Sequence, residues 1–478
     1  MKDLQVIIIG AGFGGLGMAI RLKLRGEQRF VILEKADDVG GCWRDNTYPG
    51  AACDIPSHLY SFSFEPSAEW SRAFAPQPEI LAYLRHCAAK YGLHSHLRFN
   101  TEVRGARYDA AAGVWIVDTG TEQLRARALV VACGQLSRPA MPRVPGLERF
   151  RGVQFHSARW NHDYSLDGRS VAVIGTGASA IQFVPAIAPR VGKLQLFQRS
   201  PPYIVPKPDR AYSAWERALH RRVPALLATS RGRIYWRNEL RAVAMIVPKM
   251  IAVYDWVARR HREQQIRDPE LLAKLTPSYP IGCKRILISN DYYPAVARDN
   301  VDVITDEIRE VSERGVVTAD GRERAVDAII YGTGFTANEF LAPMTIHGLH
   351  GTLDEAWQRG AEAYLGMTVT GFPNLFVLYG PNTNLGHNSI IYMLESQFGY
   401  VMQCLEQLHR VRHLDVRSEI QNEFNTSIQQ QLAQSVWAGD CTSWYKTADG
   451  KLTNNWPGYT FVYRRITRAL DLGDYAIA

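Results

Sequence analysis

The sequence predicts an α/β protein with two Rossmann-like dinucleotide-binding domains and a helical insertion in the second. Two glycine-rich turns, Gly10-Ala11-Gly12-Phe13-Gly14-Gly15 and Gly175-Thr176-Gly177-Ala178-Ser179-Ala180, each follow a short apolar run and precede a stretch of helical spacing. A third observation predicts the insertion, because residues 201–280 change to helical stretches rich in Arg, Trp and Tyr. We therefore expect two βαβ units that are separated along the chain.

The composition is that of an ordinary globular protein of 478 residues, with 46% hydrophobic and 21% charged residues. Seven cysteines form no CxxC pair and no zinc-like cluster, and their odd number does not indicate a disulfide framework. We expect no metal site and a reduced, cytoplasmic protein. The net charge of +8 is interpreted as spread along the chain without a nucleic-acid module, which favours phosphate-rich cofactors over nucleic acid as anionic partners.

Two apolar stretches bear on membrane contact. Residues 4–9 lead directly into a glycine turn and are too short for a secretory leader, so we interpret them as a buried strand. Residues 242–258 are interrupted by Pro248, Lys249 and Asp255 and fall short of the about 20 apolar residues that cross a bilayer. No transmembrane span is expected, and peripheral membrane contact is left open but not favoured.

The first unit combines a strand at residues 4–9, a helix at 16–24 and a second strand at 30–34. Its glycines permit a tight turn and a close approach of the backbone to a pyrophosphate at the helix N-terminus. Glu34 ends the second strand, where an acidic residue binds a ribose hydroxyl. A chance glycine turn is the alternative, but the strand, the helix and Glu34 together favour a dinucleotide site.

Short alternating strands are predicted next, at residues 98–103, 114–118 and 124–127, followed by the apolar run 128–132. This pattern indicates a small meander before the chain returns to its parallel sheet. Dense proline and glycine over residues 134–146 then mark a linker.

The second unit starts with a strand at residues 170–174, and its next strand, 194–197, is followed by Arg199. A site for unphosphorylated NAD would be expected to carry an acid there. An arginine pairs with a ribose 2′-phosphate, so NADPH is favoured over NADH. A surface arginine after a strand is the alternative.

The insertion is expected to contain helices at residues 212–220 and 231–260. It could cap a substrate channel, contact a membrane surface or form a packed helical subdomain, and the last interpretation has the most weight. Further strands are predicted at 301–304, 328–331 and 374–379, with a hairpin near Asp320-Gly321.

A helix with Ser389 as its N-cap is predicted near the end of the chain, and its positive N-terminus would face a flavin. Two dinucleotide units, the first with an acidic ribose ligand and the second with an arginine, indicate FAD and NADPH as the two cofactors.

Two longer motifs carry a family resemblance. Phe150-x-Gly152-x3-His156-x3-Trp160 and Gly40-Gly41-Cys42-Trp43-Arg44-x3-Tyr48-Pro49-Gly50-x3-Asp54 resemble the signatures of type I Baeyer-Villiger monooxygenases, within the flavin-containing monooxygenase superfamily. The residues of these motifs are most similar to those of the phenylacetone-type members of the family. The likeness continues through Tyr331-Gly332-Thr333-Gly334-Phe335 and Gly282-Cys283-Lys284-Arg285 with Tyr292-Tyr293, and covers most of residues 1–400. Asn161 departs from it, since the family usually has Pro or Asp there.

The resemblance implies a reaction and a domain plan. NADPH would reduce FAD, and a C4a-peroxyflavin formed with O2 would insert one oxygen atom next to a ketone carbonyl, giving an ester or lactone. Residues 1–140 would form the first part of the FAD domain and 150–335 the NADP domain, with the insertion at about 201–280. Residues 336–478 would return to the FAD domain and supply a C-terminal substrate or lid segment. The sequence does not indicate an oligomeric state.

The resemblance also implies roles for individual residues. Arg285 would stabilise the peroxide and the adduct as a permanent cation, oriented by Asp54, although an ion pair that only joins two domains is the alternative. Lys284 would add to the 2′-phosphate site, with a solvated surface lysine as the alternative. His156 is more suited to transmitting a domain movement than to acid–base chemistry, and a linker histidine with only local hydrogen bonds is the alternative. The predicted cofactor-binding residues are Gly10, Gly12, Gly14, Gly15, Glu34, Lys35, Gly41, Trp43, Asp54, Gly175, Thr176, Gly177, Ser179, Ala180, Arg199, Ser200, Lys284, Thr333, Gly334, Phe335 and Asn388.

Three rival functions remain. A flavin monooxygenase that oxidises sulfur or nitrogen would share both cofactors, and Trp160 with Arg285 argues against it. A disulfide reductase would need a redox cysteine pair, which the sequence pattern does not provide. A non-catalytic nucleotide-binding protein would bind FAD without oxidising NADPH.

Overall fold

The fold is described by a computed structural model that covers residues 4–478. Residues 6–9 are buried from both sides, as is typical of apolar runs in the inner strands of parallel sheets. The elements up to residue 131 are β1 (Leu4–Ile9), α1 (Phe13–Leu24), β2 (Phe30–Leu33), α2 (Cys42–Asp45), α3 (Gln77–Lys90), β3 (Leu97–Arg98), β4 (Gly105–Asp109), β5 (Val114–Asp118) and β6 (Gln123–Val131).

The middle of the chain builds a second strand-rich unit around a group of helices. Its elements are β7 (Val153–His156), β8 (Ser170–Ile174), α4 (Ala180–Ile187), β9 (Lys193–Phe197), β10 (Ile204–Val205), α5 (Ala214–Arg222), α6 (Pro224–Ile246), α7 (Ala252–Gln265), α8 (Pro269–Lys274), β11 (Leu287–Ile288), α9 (Tyr292–Val296), β12 (Val301–Ile304), β13 (Ile308–Val311), β14 (Gly315–Thr318), β15 (Glu323–Ala325) and β16 (Ala328–Tyr331).

The last part of the chain contains β17 (Thr345–His347), α10 (Leu353–Ala356), β18 (Leu375–Val377), α11 (Ile390–Gln407), β19 (Leu414–Val416), α12 (Ser418–Ala433), α13 (Thr460–Ile466) and β20 (Tyr475–Ile477). The predicted N-cap of α11 is confirmed, because the Ser389 hydroxyl accepts a hydrogen bond from the Ile391 amide at 3.3 Å.

The first sheet has the strand order β17-β4-β5-β6-β1-β2-β3, and β18 also pairs with β6. β1 lies parallel to β2 and β6, so that Ile9 is level with Leu33 and Val131 and three strand ends meet at one edge. The predicted meander is present as the antiparallel pairs β4–β5 and β5–β6, but its first strand is β4 and not the predicted strand at 98–103. β17 and β18 bring the C-terminal part of the chain back to this sheet.

The second sheet is entirely parallel, with the order β12-β9-β8-β16-β7. Its central strand ends are also level, since Ile174 of β8 lies beside Phe197 of β9 and Tyr331 of β16. The predicted pair of Rossmann-like domains is therefore confirmed, and in each of them a glycine turn follows the carboxyl end of a central strand.

Two predicted strands are shorter in the structure. The strand predicted at 98–103 is limited to β3, because Asn100 has φ +51° and the amide of Thr101 turns to the carbonyl of Glu34. The strand predicted at 374–379 is limited to β18, because Asn374 and Tyr379 have φ near +57°. A left-handed backbone conformation interrupts the extended chain after β3 and on both sides of β18.

The helices α5 to α8 occupy residues 214–274 between the paired strands β10 and β11. The helix predicted at 231–260 is two helices, α6 and α7, because residues 248–251 form a 3-10 turn between them. No helix in the described part of the chain is long and apolar enough to cross a bilayer. Arg231 of α6 anchors the insertion to the first unit by donating to the carbonyls of His58 and Leu59 and to Ser61.

The cysteine prediction is corrected at one point. Cys283 and Cys441 form a disulfide with a Cα–Cα distance of 6.4 Å, and the other five cysteines are free. The two cysteines are 158 residues apart, and they meet because the turn at Gly282 packs against Val436. Cysteine spacing alone therefore gave no sign of this pair.

Candidate active site

One cavity of about 1450 Å³ connects the two glycine turns. Its wall includes residues from the ends of β1, β2, β6, β8, β9 and β16, as expected for open parallel sheets that bind ligands beyond the carboxyl ends of their strands. All of the predicted site residues line this cavity except Gly15 and Ala180. The fold therefore brings nearly the whole predicted site into one space.

The first glycine turn leaves room where a phosphate would approach. Gly10 has φ +100°, and a Cβ placed on it would lie 2.7 Å from the carbonyl oxygen of Ala132. A Cβ on Gly15 would collide with the carbonyl oxygen of Gly10, so Gly15 serves the packing of α1 on β1. Above Gly12 the nearest heavy atom is the Cα of Gly41 at 3.7 Å. The space over the N-terminus of α1 fits a pyrophosphate.

Glu34 lines the cavity at the end of β2. Its carboxylate accepts hydrogen bonds from the amides of Ala11 at 2.8 Å and Ala36 at 3.0 Å, and pairs with Arg44 at 3.0 Å. Glu34 is buried, and the neighbouring Lys35 is exposed on the cavity rim. Arg44, which is part of the second family signature, was not among the predicted site residues. Because Arg44 contacts Glu34 and lies in the cavity wall, we include it among the residues of the site.

The second glycine turn repeats the geometry of the first. Gly175 has φ +106°, and a Cβ on it would collide with the carbonyl oxygen of Gly332. Above Gly177 the nearest heavy atom is that same oxygen, at 4.0 Å. Thr176 donates to the carbonyl of Ser200 at 3.2 Å, which ties the turn to the end of β9. Ser179 lines the cavity, whereas Ala180 begins α4 and is buried in the core.

Two cations meet beside the second turn. The Lys284 ammonium donates to the Ser200 hydroxyl at 2.7 Å, and Arg199 is exposed next to it. Burial and then the charge of Arg199 lower the pKa of Lys284. Within residues 4–478 neither cation forms an ion pair with a carboxylate. Two neighbouring positive charges that no carboxylate of the described residues pairs with fit a dianionic phosphate.

Asp54 and Arg285 form an ion pair on the cavity wall. The Nη2 and Nε atoms of Arg285 donate to the same oxygen of Asp54, at 2.5 Å and 3.2 Å. Asp54 is the main cause of the raised pKa of Arg285, and it outweighs the opposing effect of burial. The guanidinium is fixed by one carboxylate and keeps further N–H donors.

A third group of predicted residues joins the linker and α11 to the cavity. The Thr333 hydroxyl donates to the carbonyl of Ala140 at 2.5 Å, and the Ala140 amide donates to the carbonyl of Gly334 at 2.9 Å. Asn388 is held by two contacts: its amide donates to Glu239 at 2.5 Å, and its carbonyl oxygen accepts from the Ser389 amide at 2.8 Å. Glu239 of α6 was missed because a buried glutamate in a helical stretch carries no sequence signal.

Trp43 and Trp444 both reach the cavity. The indole N–H of Trp43 donates to the Tyr60 hydroxyl at 3.1 Å. Trp444 lines the cavity and packs against Tyr445.

The linker motif does not line the cavity. Phe150 is buried in the second unit, and Trp160 packs between Phe155 and Phe183. His156 is buried, its Nδ1 accepts from the Ala158 amide at 3.1 Å, and its ring lies 5.9 Å from that of Phe335. Burial lowers the pKa of His156. The motif thus reaches the site through His156, which lies beside Gly334 and Phe335 of the cavity wall.

Asn161, the departure from the family pattern, lies on the surface side of this motif. Its side-chain oxygen accepts a hydrogen bond from the Asp163 amide at 3.1 Å. This turn contact is one that an aspartate could also make, so it places Asn161 in a local structural role.

Comparison with known proteins agrees with this geometry. The flavin-binding monooxygenase-like family matches residues 3–347. A protein of Pseudomonas aeruginosa named Baeyer-Villiger monooxygenase is 50% identical over 481 residues, covering 99% of this chain and 91% of that protein. The structure of an oxidized steroid monooxygenase bound to NADP aligns with a TM-score of 0.89 and 30% identity, over 100% of this chain and 99% of that one. The OTEMO complex with FAD and NADP aligns at 0.90 and 27%, over the full length of both.

Proposed function

Since this chain belongs to the flavin-binding monooxygenase-like family, we infer that it is a Baeyer-Villiger monooxygenase dependent on FAD and NADPH. It inserts one oxygen atom from O2 next to the carbonyl of a small-molecule ketone and forms an ester or lactone. The observation that carries this proposal is the Asp54–Arg285 ion pair on the wall of the cavity that both glycine turns share.

The first turn and Glu34 would hold FAD, and the second turn would hold NADPH. The redox chemistry is supplied by these cofactors when they are bound. The chain binds their phosphates over Gly12 and Gly177, where the backbone is open, and anchors a ribose near Glu34. Residues 1–140 and 336–478 would serve the flavin and 150–335 the nicotinamide cofactor, because β17 and β18 pair with strands of the first sheet.

Arg285 is the proposed catalytic residue. Attack on a ketone moves negative charge to the carbonyl oxygen, and a fixed cation with free N–H donors lowers the energy of that charge. Asp54 sets the orientation of the guanidinium and keeps it charged, as the raised pKa of Arg285 indicates. Because arginine does not release its proton at working pH, its role is electrostatic rather than general acid catalysis.

Arg199, Ser200 and Lys284 are proposed to select NADPH over NADH. They lie at the end of β9, where the ribose of a bound dinucleotide is found in this fold. A 2′-phosphate would compensate the two unpaired cations, which NADH cannot do.

The reaction is tested by incubating the purified protein with NADPH, a panel of ketones and a matched panel of sulfides under labelled dioxygen. We expect one labelled oxygen atom in esters or lactones. Label found only in sulfoxides would overturn the ketone assignment. Bound FAD without NADPH oxidation would overturn the enzyme assignment.

A further inference from the structure

Exposed apolar side chains are concentrated on the helical insertion and on α13. Nine large apolar residues between positions 215 and 256 are exposed, and three more lie on α13. The most exposed are Leu240 at 72%, Trp215 at 70% and Trp236 at 58%. Single exposed apolar residues are ordinary, but a group of them marks an interaction surface.

Five of these residues lie on the two neighbouring helices α6 and α13, and we call the surface that carries them the α6–α13 face: Trp236, Leu240, Phe461, Val462 and Ile466. Trp236 and Leu240 are one helical turn apart on α6. The ring of Trp236 lies 6.1 Å from that of Phe461, which joins the two helices into a single surface. Tyr235 and Glu239, on the adjoining and more buried face of α6, fix this arrangement by hydrogen-bonding to Thr460.

The same region carries the net charge of the protein. Residues 201–280 contain fifteen Lys and Arg and seven Asp and Glu, so their net charge equals the +8 of the whole chain. This corrects the interpretation that the charge is evenly spread. Arg233, Arg237 and Arg241 are exposed on α6 beside Trp236 and Leu240, and none of them forms an ion pair within residues 4–478. Burial and the charge of Arg241 lower the pKa of Arg237.

The exposed apolar side chains and the positive charge together indicate what binds to this face. An exposed tryptophan and aliphatic side chains among arginines match the interface of a bilayer, where aromatic rings lie at headgroup level and cations meet anionic lipids. A second copy of this chain fits poorly, because a two-fold contact would bring equal positive charges together. Since no described helix can span a bilayer, the contact is peripheral.

We propose that the α6–α13 face docks on the surface of an anionic lipid bilayer. Trp236, Leu240 and the α13 side chains insert at headgroup depth, while Arg233, Arg237 and Arg241 pair with lipid phosphates. The adjoining, buried face of α6 holds Glu239, which accepts a hydrogen bond from Asn388 in the cavity wall. Docking therefore places the bilayer one helix away from the cavity.

The test is flotation of the full-length holoprotein with vesicles of phosphatidylcholine, alone or with roughly 30 mol% phosphatidylglycerol. We expect binding to the anionic vesicles only, and weakening as salt is raised to about 1 M. The double variant Arg237→Gln/Arg241→Gln should lose about thirtyfold in vesicle affinity. Trp236→Ser/Leu240→Ser should lose more than about tenfold.

Leu24→Ser is the matched control, because Leu24 is 58% exposed on α1, outside this face. It should leave vesicle binding unchanged, and melting temperatures should show that all variants fold. Absence of binding to anionic vesicles would overturn the proposal. So would an equal loss in Leu24→Ser, a dimer that the face variants dissociate, or binding of an oligonucleotide in place of vesicles. Vesicle binding is measured without turnover, so its outcome is independent of the oxygenation reaction.

Discussion

The two glycine turns share one backbone geometry but end in opposite electrostatic surroundings. At the first, the buried carboxylate of Glu34 is fully engaged by two amides and Arg44. At the second, Lys284 donates to the Ser200 hydroxyl close to the charge of Arg199, and neither cation forms an ion pair with a carboxylate among the described residues. The negative charge of Glu34 beside the first turn is therefore balanced within the protein. The positive charges of Arg199 and Lys284 beside the second turn are not, and a bound anion would balance them.

The fold therefore determines where a dinucleotide lies, and a few side chains after the second strand of each unit determine which dinucleotide binds. Gly10 and Gly175 have nearly the same φ and each closes on the end of a neighbouring strand. Glu34 and Arg199 occupy comparable places at the ends of β2 and β9 and differ in charge. Each variant below removes one side of this comparison.

The largest effect is expected from replacing the first turn glycine. In Gly10→Ala the new Cβ meets the Ala132 carbonyl at 2.7 Å in a left-handed backbone, at a cost of about 2–4 kcal/mol. We expect the purified variant to lose FAD. In Gly175→Ala the same strain affects the second unit, so FAD should be retained while NADPH no longer reduces it. Flavin absorbance after gel filtration measures the difference.

Gly399→Ala is the control for these two variants. Gly399 lies within α11, and a Cβ on it would meet nothing within 4 Å. It should keep both cofactors. Loss of FAD from Gly175→Ala would show that the two turns do not act separately.

Arg285 lines the cavity that both turns share, and its removal should separate flavin reduction from oxygenation. In Arg285→Ala we expect kcat/KM for ester formation to fall about 10²–10³-fold, because one fixed charge donor is lost from the transition state. Flavin reduction by NADPH, followed in a stopped-flow instrument without oxygen, should stay near the parental rate.

Arg190→Ala provides the matched control for Arg285. Arg190 also pairs with an aspartate, Asp167, at 2.7 Å, but this pair is exposed on the surface. Its loss should leave both half-reactions unchanged. If Arg285→Ala formed ester at near the parental rate, the Asp54–Arg285 pair would serve only as a structural contact between domains.

A smaller effect is expected from removing one of the two cations beside the second turn, Arg199 and Lys284. Arg199→Ala should raise KM for NADPH about thirtyfold, which corresponds to the loss of one charge-assisted contact to phosphate, and leave KM for NADH nearly unchanged. Initial rates with the two coenzymes measure it. Equal changes for both would mean that Arg199 does not contact the 2′-phosphate.

The sequence predicted the two units well because their signals are local. Residues 4–34 and 170–199 each contain the strand, the glycine turn and the charged residue in order, and pairing of the strand ends brings these into one cavity. Asp54 and Arg285 were predicted only through the family resemblance. They are 231 residues apart, so nothing local relates them.

What the sequence missed depends on distant packing. Glu239 reaches Asn388 only because α6 folds over the N-terminus of α11, and Cys283 reaches Cys441 only because the turn at Gly282 packs against Val436. The ends of β3 and β18 were missed for another reason. Asn100, Asn374 and Tyr379 adopt a left-handed backbone that their neighbours in the sequence do not indicate.

The smallest effect is a pH dependence confined to the cationic end. Lys284 binds phosphate as an ammonium, and burial and Arg199 lower its pKa, so it loses its charge at a lower pH than an ordinary lysine. KM for NADPH should therefore rise as the pH is raised through this lowered pKa, while KM for NADH stays flat. In Arg199→Ala one like charge is gone, the pKa of Lys284 increases, and the rise should move to higher pH. Lys284→Met should abolish the rise. Parallel pH profiles for NADPH and NADH in the parental enzyme would show that Lys284 does not face the phosphate, leaving Arg199 as the basis for distinguishing the second turn from the first.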